Sequence, residues 1–279
     1  MCICVCLSLG AVKCMYSGLE KDRLQAWRAF EALERLGNIT GVDGLVARTL
    51  CNPQERESSA VHERSSLRGR AHRGPASGSE GGGKTVGCGS DGEGNWHDSV
   101  SMPGWVWKGD TSSDTVDGHY FAYGVVLDLV ARGEEERERV VLAIDKLTSY
   151  IVHNDLYYID VTGEPTKWGR WNPTDLNDDP SYIGERGGNS LQILSFLALA
   201  YSVTGKQLYA DTFHDLVEEH NYFENVKNQK IDNPVRVLVE CVLLGVGADR
   251  LFIRYCFLTF CGSCVCSSTT TTAITSSRK

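Results

Sequence analysis

The stretch WVWKGDTSSDTVDGHYFAYGVVLDLVARGEEERERVVLAIDKLTSYIVH, residues 105–153, decides the fold. Within it Val116, Tyr120, Tyr123, Leu127 and Val130 recur at three- and four-residue intervals, as do Val140, Ile144, Leu147 and Ile151. Spacing of that kind puts each set on one face of a helix. Arg132-Gly133 between them is so short a turn that the two helices must return antiparallel. The first helix is the more apolar, whereas the second opens on the charged run 134–138. The first is therefore expected inside a ring of helices and the second outside it.

Downstream the plan repeats. A β-prone Tyr157-Tyr158-Ile159-Asp160-Val161 and the turn Thr162-Gly163-Glu164-Pro165 predict a small β-hairpin in the connecting loop. Leu191, Leu194, Ala198 and Tyr201 then mark an inner helix, uncharged over 189–203, with a turn at Thr204-Gly205. Tyr209, Phe213, Leu216 and His220 mark its outer partner. Upstream, Leu24, Trp27, Phe30 and Leu33 predict an amphipathic helix over 19–36, stopped by Gly37 and Gly41. The expected class is all-α, built from antiparallel helical hairpins.

The flanks read differently. Residues 52–94 hold only Val61, Leu67 and Val86 as large aliphatics, too little apolar surface to offset the entropy of ordering, so they read as a disordered low-complexity insert. Gly78-Ser79-Glu80-Gly81-Gly82-Gly83-Lys84-Thr85 matches the P-loop letters. No strand precedes it and no helix follows, so nothing would aim its amides at a phosphate. Residues 1–16 form an apolar, Cys-rich tail without the basic start of a signal peptide and too short to span a bilayer. The compartment stays open, with a lean to secretion; Asn38-Ile39-Thr40 is a glycosylation acceptor only in that case. The division is then 1–16 tail, 17–51 first helix, 52–94 insert, 95–231 helical domain and 232–279 a divergent segment ending in a Ser/Thr tail.

Composition narrows the partners. Lys+Arg 28 against Asp+Glu 36 gives −8, which repels a nucleic-acid backbone. Six Trp and 11 Tyr suit a polyhydroxylated ligand, because aromatic faces stack on the apolar faces of sugar rings. Cys261-x-x-Cys264-x-Cys266 lacks a nearby His or second CxxC, and Asn177-Asp178-Asp179 lacks ordered calcium spacing. No metal or cofactor is expected.

The segments WVWKGDTSSDTVDGHYFAY, YYIDVTGEPTKWGRWNP and ERGGNSLQILSFLALAYSVTG, with NITGVDGLVART upstream, resemble in their order an uncharacterised branch of the six-hairpin glycosidase-like superfamily. The resemblance covers about half the chain. It implies an α/α toroid acting mostly on glycans, in a superfamily that includes hydrolases, lyases, epimerases and members without a known reaction. A closed ring needs twelve helices, and two hairpins plus one helix imply a partial toroid, truncated or divergent, whose open flanks would self-associate.

Glycosidic cleavage needs two carboxyl groups, one protonated and one ionised. The junctions entering the two inner helices, residues 107–114 and 185–190, are the most polar and glycine-rich of the domain and are expected to share one rim. Asp110, Asp114 and Glu185 are thus the candidate catalytic groups. Asp114 also suits a helix start, where acidic residues meet the positive end of the helix dipole. Substrate-binding candidates are Trp107, Asp117, His119, Tyr123, Trp168, Arg170, Trp171, Arg186 and Asn189. The tryptophans, Trp105 included, read equally as stacking platforms or as plugs for the barrel top. Arg170 and Arg186 read first as ion-pair partners of Glu185 and Asp179. The functional expectation is a carbohydrate-active domain, a hydrolase on rim carboxylates, or else an inactive glycan-binding relic of the same fold.

Overall fold

A computed structural model describes residues 17–52 and 95–227. The expectations for the N-terminal tail, the insert with its P-loop letters and the segment after 231 lie outside the described residues. The described residues are mostly helical, with two small antiparallel sheets, and the chain divides into two compact units between Asn172 and Pro173.

The first unit opens with α1 (Glu20–Asn38), which buries Ala26, Trp27, Phe30, Leu33 and Leu36. Leu24, expected on that face, is 42% exposed; the face is set by Ala26 and Leu36 instead. Arg23 is buried on α1 and binds Glu20 at 2.8 Å and Glu136 at 3.0 Å, tying α1 to the helix that carries Glu136. Strands β1 (Thr49–Cys51), β2 (Trp96–Asp98) and β3 (Val106–Lys108) form a sheet in the order β1-β3-β2. This sheet is absent from the sequence reading, because three residues are too few to display alternation.

Helix α2 (Ser113–Leu129) is capped by Ser112, whose side chain accepts from the Thr115 amide at 3.4 Å. Asp114 therefore sits in the first turn, beside the positive helix end, and is not the cap. Helix α3 (Gly133–His153) follows after three residues and packs on α2. All of Val116, Tyr120, Tyr123, Leu127 and Val130 are buried, as are Val140, Ile144, Leu147 and Ile151. Twelve of the 17 residues of α2 are buried against five of 21 in α3, so the more apolar helix of the pair is also the more buried.

Strands β4 (Tyr157–Ile159) and β5 (Pro165–Arg170) form the expected hairpin. Its Tyr158 is fully buried and holds the chain after α1: its hydroxyl donates to Gly44 O at 2.9 Å and accepts from the Val46 amide at 2.7 Å.

The second unit begins with a π turn (Thr174–Asp178) and a 3-10 turn (Pro180–Tyr182), then α4 (Arg186–Thr204), α5 (Gln207–Glu218) and α6 (Tyr222–Val226). Gly205, at φ 68°, ends α4 in the left-handed conformation that glycine adopts without steric cost. The buried set of α4 departs from the expected stripe. Leu191 is half-buried and Tyr201 44% exposed, while Ile193, Leu194, Phe196, Leu197 and Ala200 are buried. An uncharged helix offers no polar face to fix the stripe, so its contacts choose it. Helix α6 goes beyond the sequence reading; it packs on α4, and Asn225 Nδ2 donates to Asn177 Oδ1 at 2.7 Å.

Candidate functional site

The carboxylates expected in the first junction meet three different environments. Asp110 lies between β3 and α2 with φ 49°, a left-handed backbone that costs most side chains free energy. Two bonds hold it there. Its amide donates to Asp160 Oδ2 at 2.6 Å, and its own Oδ1 accepts from the Lys167 amide at 2.8 Å. The carboxylate is thus committed to backbone of the β4–β5 hairpin. Gly109 permits the approach, since a Cβ there would lie 2.6 Å from Asp160 Oδ2 and 3.0 Å from His97 Nε2.

Asp114 is exposed in the first turn of α2. Asp117, one turn further, is 7% exposed, and its carboxyl is pushed up to about 7 by burial first and then by the negative charge of Asp114. Near neutral pH it therefore retains its proton about half the time, which is the condition for donating one.

His119 is fully buried, and burial lowers its imidazole to about 4, so it is neutral at pH 7. Its Nδ1 lies 2.9 Å from the Tyr123 hydroxyl, while Nε2 is buried and has no hydrogen-bond partner among the described residues. This pair offers hydrogen bonding rather than charge.

The aromatic candidates divide by burial. Trp107 is 2% exposed, its ring 4.8 Å from that of His97, and Trp171 is completely buried, edge-on to Tyr158. Neither presents a ring face to a ligand, so packing accounts for both. Trp168, at 38%, is the exposed tryptophan, with Lys167 Nζ 4.8 Å from its ring centroid. Arg170 donates from Nε to Thr166 O at 3.1 Å and lies over Tyr157.

Glu185, Arg186 and Asn189 belong to the second unit. Glu185 stands at the N-cap of α4 without a side-chain capping bond. Arg186 donates to the carbonyl oxygens of Leu176 and Asn177, the latter at 2.7 Å, which fastens the π turn to α4. Asn189 is 2% exposed.

Sequence reasoning passed over Asp160, Lys167 and His97. Asp160 and Lys167 act on Asp110 from about fifty residues away, and no local spacing marks such partners. A cleft of about 300 Å³ lies elsewhere in the unit, between the end of α1, the loop 41–46 and α3. Tyr123 and Leu147 line it, and none of the three junction aspartates does. Among the described residues no group of His, Cys, Asp or Glu is placed to hold a metal ion, and no helix is long and apolar enough to cross a membrane. No family model, curated protein or solved structure matches the chain.

Proposed function

We propose that the chain is a carbohydrate-active domain, a partial α/α toroid working as a glycoside hydrolase with Asp117 as proton donor. The observation that carries this reading is the unlike carboxyl pair on α2: Asp117 buried and raised to about 7, Asp114 exposed one turn before it. A carboxyl that burial keeps protonated near neutral pH is what the acid role requires. Residues three apart on a helix have Cβ atoms about 5–6 Å from each other. The order of motifs along the chain and its two helical hairpins support the same reading.

The test is reducing-end release from a panel of oligosaccharides by the full chain. The wild type releases sugar, with a rate that falls as pH rises through about 7 and the acid ionises. Asp117→Asn loses that release while keeping its circular dichroism. Unchanged turnover in the variant removes Asp117 from the role, and no release from any glycan removes hydrolysis. In the partial ring, uncovered helix flanks make the chain self-associate, which size-exclusion chromatography reads.

A second reading, glycan binding without turnover, is favoured by Asp110, whose carboxylate is taken up by the Lys167 amide. It is distinguished by glycan affinity without reducing-end release.

A further inference from the structure

We propose that Asn38 is an N-glycosylation site, carrying an oligosaccharide added before the turn after α1 folds. The proposal is independent of the hydrolase reading, and two separate observations carry it. The first is the acceptor. Asn38-Ile39-Thr40 is the one Asn-x-Ser/Thr triplet in the 279 residues whose middle residue is not proline. Folding leaves its asparagine outside: Asn38 ends α1 with an exposed side chain, while Ile39 and Thr40 are buried. The Asn38 carbonyl oxygen accepts from Ser101 Oγ and from the Gly41 amide, and no bond among the described residues engages its Nδ2. Gly41, at φ +70°, turns the chain there, and a Cβ on it would meet no atom within 4 Å, so the turn opens onto space that a bulky sugar can occupy.

Asn172-Pro173-Thr174 has the same outer residues and fails on both counts. Its proline bars it as an acceptor, and Asn172 is 7% exposed with Nδ2 donating to Asp155 O at 2.8 Å.

The second observation lies outside the triplet. Cys51, on β1, is disulfide-bonded. Disulfides form and persist in oxidising compartments such as the secretory lumen, where asparagine-linked sugars are also added. The condition that the triplet sets, passage through that compartment, is thus supported by a different residue and a different chemistry.

Thr40 sets the order of events. In the fold it is 6% exposed, its hydroxyl donating to Gly37 O at 2.8 Å and accepting from the Val42 amide at 3.1 Å. A hydroxyl so enclosed is out of reach of a transferase, so the triplet is read in the unfolded chain and the turn then closes over Thr40 alone. In the transfer, Asn38 Nδ2 bonds to C1 of a lipid-linked pyrophosphoryl oligosaccharide. The C1–O bond breaks, the lipid pyrophosphate leaves, and the amide gives up one proton.

The experiment expresses the full chain with its own N-terminus in a eukaryotic host and compares its mobility before and after peptide-N-glycosidase digestion. The wild type loses apparent mass in a single step, and peptide mass spectrometry finds Asn38 converted to aspartate by the digestion. Asn38→Gln migrates with the digested chain and keeps its circular dichroism, because the side chain it replaces is exposed. Thr40→Ser retains the sugar, and a pulse label finds it on the newest chains. Mobility unchanged by digestion, a shift that survives Asn38→Gln, or sugar that appears only during the chase overturns the proposal.

Discussion

The amide of Asp110 donates to Oδ2 of Asp160 at 2.6 Å, and by that bond the start of α2 is fastened to the end of β4. Oδ1 of Asp160 accepts from the Val161 amide at 2.8 Å, so one buried carboxylate serves both chain segments. Asp110 completes the clasp through Lys167.

Substitutions at Asp110 separate its backbone strain from its hydrogen bond. Asp110→Asn tolerates the left-handed backbone and keeps an acceptor, and costs less than about 1 kcal/mol. Asp110→Gly keeps the backbone and loses the acceptor. Asp110→Ala loses both and is the worst of the three, at about 1–2 kcal/mol. Urea melts should rank them Asn, Gly, Ala; an alanine variant as stable as the asparagine one denies the clasp.

Asp117 makes stability fall with rising pH. Its folded carboxyl titrates at about 7 against an ordinary value of 3.8, so between those values the folded chain holds a proton that the unfolded chain has lost. The contribution is complete below about 4 and lost as pH rises through about 7, up to roughly 4 kcal/mol. Asp117→Asn removes the slope. Its stability relative to wild type should therefore be greater at pH 8 than at pH 4.5, and equal differences at the two values contradict the buried carboxyl.

His119 works in the opposite sense. Its folded imidazole titrates at about 4 against an ordinary 6.5, so its contribution is complete above 6.5 and lost as pH falls through about 4, up to roughly 3 kcal/mol. The two windows overlap, and each group hides the other in wild type. Replacing His119 by Gln should expose the descending Asp117 slope between pH 4 and 6.5. A variant with the wild-type profile would show that His119 is not buried neutral.

The Tyr158 clasp on the loop after α1 predicts two large losses. Tyr158→Phe strands the Gly44 carbonyl and the Val46 amide, at about 2–3 kcal/mol. Gly44→Ala forces a Cβ onto the Lys146 carbonyl and Tyr150 Cβ at φ +86°. Gly163→Ala meets no atom within 4 Å at a similar φ of +83° and costs only about 1 kcal/mol. The Gly44 variant should melt well below the Gly163 one, and similar midpoints would mean that the loop yields.

The helical core was legible from residue type because periodicity is a local property. Val116 to Val130 and Val140 to Ile151 carry their burial in their spacing, and the Gly205 stop and the β4–β5 hairpin are written in adjacent residues. The sheet of β1, β2 and β3 was not, since its strands are too short to show alternation and the pairing of Trp107 with Leu50 depends on chain brought from far away.

The candidate site divides in the same manner. Sequence alone determined that acidic residues cluster where α2 begins, because Asp110, Asp114 and Asp117 are neighbours in the chain. Only the tertiary structure decided their unlike states: Asp110 clasped by the hairpin, Asp114 in water and Asp117 enclosed. A carboxyl's proton affinity is set by the solvent and charge around it, and packing supplies those.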